Sequence, residues 1–125
     1  MRQILFRGKR TDNGEWETGS LVIIRDGCSD KEVFIADKMT GYNTPVIKET
    51  VGQFTGLTDK NGVRIFEGDI LRDDDNEENG VVEFVDGEFC VVFGNIETHG
   101  IADIACCCYV IGNIHDNPEL LKGGE

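Results

Sequence analysis

The chain has 125 residues and carries 24 Asp and Glu against 12 Lys and Arg, a formal charge of −12. That length holds one domain, or two small subdomains sharing a core. The acidity opposes binding to phosphate backbones and to anionic membranes, and leaves basic partners open.

In chain order, Arg2 to Gly8 reads as a strand and Thr11-Asp12-Asn13-Gly14 as an Asn-Gly turn. Glu15 to Ile24 reads as a second strand, with Trp16, Leu21 and Ile23 expected in the core and Gly19 a bulge or crossing point. Asp26-Gly27 marks a turn, Lys31 to Ala36 a strand, Lys38 to Thr44 a polar loop, and Pro45 to Phe54 an extended run. Asp59-Lys60-Asn61-Gly62 is a tight turn, because Asn and Gly tolerate the positive φ that hairpins require. Val63 to Phe66 follows as a strand, and Glu67-Gly68-Asp69 bends the chain into Ile70-Leu71. Asp73 to Asn79 is an acidic loop. Asp86-Gly87 joins the strands Val81 to Val85 and Glu88 to Phe93. Gly94 to Gly100 reads as loop, Ile101 to Ala105 as strand or helical turn, and Cys106 to Ile114 as a buried strand. Asn117-Pro118-Glu119 opens a closing helical turn, and Lys122 to Glu125 read as frayed.

No window of ten residues has a 3.6-residue period, so a long helix is not expected. Sixteen Gly and two Pro suit short strands joined by tight turns. The expected fold is therefore mainly β with little helix. Residues 1–55 read as an N-terminal β-hairpin and sheet subdomain. Residues 56–121 read as a small β-barrel of the SH3-like kind, with an open sheet and a short helix as the alternative.

Three blocks together resemble the YopX family of bacteriophage and prophage proteins. The first is Ile4-Leu5-Phe6-Arg7-Gly8-Lys9-Arg10 with Asn13-Gly14-Glu15-Trp16 and Gly19. The second is Thr50 to Leu57 with Asp59-Lys60-Asn61-Gly62 and Ile65-Phe66-Glu67-Gly68-Asp69-Ile70. The third runs from Val110 to Leu121. The resemblance implies a β-rich fold encoded by phages or prophages. It carries no catalytic residue to this chain.

Residues able to do chemistry are few. Cys106, Cys107 and Cys108 would need Cys28, Cys90, His99 or His115 to complete a zinc site, and their spacing is not that of paired ligands. They read instead as small buried hydrophobes. Asp73, Asp74, Asp75, Glu77 and Glu78 lack the Gly of a calcium loop at its sixth position. Glu67 and Asp69 flank Gly68 as acid–base carboxylates do, but Glu-Gly-Asp is also turn chemistry. His115 beside Asp116 points to packing near the terminus. No phosphate-cradling loop is present. No cofactor, metal or catalytic residue is assigned. The residues chosen for a binding site are Asp59, Asn61, Glu67 and Asp69.

Arg2, Arg7, Lys9 and Arg10 gather basic charge near the N-terminus, opposite in sign to Asp73–Glu78. That separation favours self-association. The reading is a non-enzymatic accessory protein of the bacterial cytoplasm, a homo-oligomer or a binder of a host protein, without nucleic acid or membrane. The alternative is an acidic inhibitor occupying a basic site on a host nuclease or DNA-binding protein. The start of the chain shows no long apolar leader segment and no apolar run reaches the ~20 residues that span a bilayer, so reduced thiols are expected among its five cysteines.

Overall fold

The structure, a computed structural model, describes residues 4–27, 29–75, 77–94 and 97–121. The expected fraying of Lys122–Glu125, and the roles considered for Arg2 and Cys28, lie outside them. The fold is mainly β, and the chain divides into two compact units, Met1–Phe54 and Thr55–Glu125.

In the first unit, β1 (Phe6–Lys9), β2 (Trp16–Asp26), β3 (Ser29–Ala36) and β4 (Asn43–Pro45) form an antiparallel ladder in the order β4-β3-β2-β1. The start of β5 (Gly52–Thr58) adds beside β1 through Phe6–Gln53 and Arg7–Gly52. The Asn-Gly turn forms with Gly14 at φ 73°, and the Asn13 side chain accepts a hydrogen bond from the Glu15 N–H at 2.9 Å. Gly19 is where β2 changes partners. Residues 16–19 pair with β1, and residues 20–26 pair with β3. A Cβ on Gly19 would lie 2.1 Å from the Ala36 carbonyl oxygen, so only glycine fits there.

The core of this unit is Val33, Ile35 and Val46, with Phe6, Leu21 and Val51 packed against it. Trp16 is only half-buried. Ile23, expected in the core, is 38% exposed. It lies on the hairpin beyond the reach of β4, which pairs only with Phe34–Ala36. The extended run expected from Pro45 is broken by a 3-10 turn at Lys48–Thr50. Thr50 is buried there, its hydroxyl accepting from the Lys9 N–H at 2.9 Å and donating to the Ile47 carbonyl at 2.6 Å.

In the second unit, β5 continues and pairs with β6 (Arg64–Phe66). A five-stranded antiparallel sheet is built from β7 (Asp69–Asp73), β8 (Glu78–Val85), β9 (Glu88–Phe93), β10 (Glu97–Gly100) and β11 (Tyr109–Asn113), in the order β10-β9-β8-β7-β11. Ile65, Leu71, Val82 and Val91 are almost fully buried, each side chain contributing about 1.5–3 kcal/mol through burial. Phe93, Ile101, Ala105 and Cys108 complete that cluster. In β8, Gly80 leaves room for neighbours: a Cβ would sit 2.6 Å from Val91 Cγ1 and 2.8 Å from Phe93 Cδ1.

The barrel expected for residues 56–121 does not close. Among the described residues the sheet ends at β10 on one side and β11 on the other, with no ladder joining them. Two local expectations also change. Part of the expected 94–100 loop is strand β10. The expected strand from Cys106 begins only at Tyr109, because the chain must cross from one edge of the sheet to the other. It crosses compactly through α1 (Ile101–Ile104) and a 3-10 turn at Ala105–Cys107. A closing 3-10 turn at Pro118–Leu121 docks on β8, where Asn79 Nδ2 donates to the Leu120 carbonyl at 2.9 Å.

Candidate functional site

The turn between β5 and β6 is organised around one side chain. Asp59 is 5% exposed. Its Oδ1 accepts from the N–H groups of Asn61 at 2.8 Å and Val63 at 2.9 Å, and its Oδ2 accepts from Val110 N–H at 2.8 Å. Beside it, the Lys60 N–H donates to the Cys108 carbonyl at 3.1 Å. One carboxylate thus shapes the turn and fastens it to β11. Burial pushes the Asp59 carboxyl up, but the N–H groups of Val110, Val63, Asn61 and Gly62 outweigh it and hold it below the usual carboxylate range. Asn61 itself is exposed at the tip.

The next turn repeats this logic. Asp69 is 1% exposed and accepts from the Phe66 N–H at 2.7 Å. Gly68, at φ 92°, donates to the Val82 carbonyl at 2.8 Å and accepts from Ile114 N–H at 2.9 Å. Glu67 is half-buried in the turn. So the structure joins Asp59 to Asn61 and Asp69 to Phe66, and turns both aspartates inward.

A third knot lies after β11. Asn113 Oδ1 accepts from the N–H groups of His115 and Asp116 at 3.0 and 2.9 Å, and its Nδ2 donates to Asp116 Oδ2 at 3.2 Å. A Cβ on Gly112 would meet Asn117 Oδ1 at 2.5 Å. Asn113 and Asn117 were not singled out as site residues. Their signal was only the familiar Asx-turn chemistry of Asn and Asp.

The remaining candidates separate. Cys106 and Cys107 are exposed, with their sulfurs 3.6 Å apart, so the reading of a buried triple holds for Cys108 alone. The hydrogen bond to Cys106 and the charges nearby push the Cys107 thiol up. Burial pushes Cys108 up to about 11. In the acidic loop, Asp74 accepts from Tyr109 Oη at 3.1 Å and from Arg72 Nε at 3.3 Å, with Lys60 Nζ 3.9 Å away. His99 stacks edge-on to Phe93 at 5.8 Å. Among the described residues no three His, Cys, Asp or Glu side chains are grouped so as to hold a metal ion.

Charge is distributed unevenly. The first unit has eight Lys and Arg against eight Asp and Glu; the second has four against sixteen. The whole excess negative charge therefore belongs to the second unit. From Asp73 to Leu121 there is no Lys or Arg at all. In the first unit the described members of the basic strip have local partners. Arg10 binds Asp12 at 2.8 Å and Glu17 at 3.2 Å, while the Arg7 guanidinium lies 4.6 Å over the Trp16 ring and Lys9 Nζ 5.8 Å from it.

The chain is similar to protein EF1440 from Enterococcus faecalis, known from a crystal structure, with 28% identity and a TM-score of 0.62 over 97% of this chain and 99% of that one. No curated protein matches it. The model of the YopX protein family matches residues 5–122. Phe6, Gly19, Thr50, Asp59, Asp69 and Asn113, which pack or bond strands and turns, fall within that span, and the chain belongs to the YopX family.

Proposed function

We propose that the protein is a non-enzymatic binding module, encoded by a phage or prophage and acting in the bacterial cytoplasm, that engages a basic protein through the acidic surface of its second unit. The observation that carries this reading is the charge partition: the first unit is neutral, and the second has sixteen acidic and four basic residues. A surface of that kind attracts basic partners and speeds their encounter. The strand order β10-β9-β8-β7-β11, with helical turns before the last strand, supports reading the second unit as an open SH3-like arrangement. Both oxygens of Asp59 and Oδ2 of Asp69, the buried carboxylates of the predicted site, accept from backbone N–H groups. This supports a structural role over acid–base chemistry. Pairing of Arg10 with Asp12 and Glu17 favours a foreign basic partner over head-to-tail pairing of like copies.

The test is affinity capture by the tagged protein from bacterial lysate at low and high salt, read by mass spectrometry. Basic proteins held at low salt and released as the screening length shrinks toward ~3 Å at ~1 M are the expected result. Capture that ignores salt, or recovery of the protein alone, overturns the reading, and the second outcome turns it toward self-association.

A further inference from the structure

We propose that the free end of the β8–β9 hairpin is where the basic partner docks, an inference that rests on the acidic-surface reading and assigns it a place. Among the described residues no third strand pairs with β8 beyond Val81 or with β9 ahead of Cys90, and the Gly68 N–H on the Val82 carbonyl is the last backbone bond to β8 from outside the hairpin. The end of the hairpin is therefore a two-stranded ribbon, closed by Asp86 and Gly87 at φ 51° and 85°. It nevertheless carries large apolar groups. Phe84 is 53% exposed and Val85 is 40% exposed, on opposite faces of the ribbon. Phe84 packs edge-on against Phe89 at 4.9 Å between ring centroids. An exposed aromatic of this kind is a good anchor for a partner.

The surrounding charge sets the partner's chemistry. Glu83, Asp86 and Glu88 are exposed around the apolar pair. Among the described residues no Lys or Arg forms an ion pair with any of them. Their field reaches inward, since the Cys90 thiol is pushed up by burial and then by the charges of Glu83, Glu88 and Asp86. A segment with Lys or Arg flanking an apolar side chain would relieve that repulsion and cover Phe84. The occupant is thus a basic protein segment with an apolar anchor, and a purely polar cation would use only half the surface.

The test is an amide NMR titration with two synthetic peptides of equal charge, one lysine–leucine and one all-lysine. The lysine–leucine peptide is expected to shift residues 83–89, and the all-lysine peptide to bind about tenfold more weakly. Phe84→Ala removes the anchor, and the paired change Glu83→Lys with Glu88→Lys reverses the charge while keeping Phe84. Each is expected to weaken binding about tenfold, with the spectrum reporting that the fold is intact. Shifts centred on residues 73–79, or wild-type binding by both variants, overturn the hairpin assignment and leave the acidic surface as the reading. No salt-sensitive binding by either peptide overturns both.

Discussion

Asp59 shows how much of this fold hangs on single carboxylates. Replacing it with Ala strands the N–H groups of Asn61, Val63 and Val110, which it accepts at 2.8–2.9 Å. We expect a loss of roughly 2–4 kcal/mol in urea unfolding, since bonds to a charged acceptor are worth about 1.5–3 kcal/mol each but are not additive. The pH dependence has a definite sign. The folded carboxyl titrates below its unfolded value of about 3.9, so its contribution is complete above that pH and is lost as pH falls through the folded value. The stability gap between wild type and Asp59→Asn should therefore narrow as pH drops below about 4. A gap that stays constant from neutral to acid pH would show that the ionised form is not what holds the turn. The turn residues of this motif were legible in the sequence because Asp-Lys-Asn-Gly chemistry is local. The reach of Asp59 to Val110, 51 residues away, was not, since no local signal encodes a distant N–H.

Elements carry the next level of specification. Gly80 is the third residue of β8, where a side chain would weaken nothing locally and would raise strand propensity. Packing decides otherwise. A Cβ there meets Val91 and Phe93 at 2.6 and 2.8 Å. Gly80→Ala should cost about 1–3 kcal/mol in denaturant unfolding, the usual range for overpacking a core. A neutral or stabilising result would mean that β8 and β9 can separate slightly without loss. Most strands and turns were readable from alternation and from Asn-Gly and Asp-Gly pairs. The segment from Ile101 to Cys108 was not. Its apolar run suits a strand as well as a helical turn, and the choice is made by the need to pass from β10 to the far edge of the sheet. Ile23 failed as a core residue for a related reason: its alternation is correct, but the hairpin extends beyond β4.

For the whole molecule, the controlling quantity is where charge is placed. Sixteen acidic residues against four basic ones repel within the second unit. Screening should relieve that repulsion, so the thermal midpoint should rise as salt goes from ~0.01 to ~0.2 M, over which the screening length falls from about 30 to below 10 Å. Scanning calorimetry at several salt concentrations measures this. A falling midpoint would mean that attractive pairs such as Arg10–Asp12 and Arg72–Asp74 outweigh the repulsion. The same field makes partner binding salt-sensitive, so stability and binding should respond to salt in opposite directions.

By itself the sequence determined the acidic balance, the β-rich class and the position of most turns. Those properties depend on composition, on two-residue alternation and on backbone preferences of Gly, Asn and Asp, all of which act over a few residues. Tertiary structure decided that the second sheet stays open, that Asp59 and Asp69 turn inward, that Cys106 and Cys107 lie outside, and that Phe84 is exposed at a hairpin end. Each of these depends on which distant strand is paired and where its pairing stops, and long-range pairing is set by the joint packing of the whole sheet.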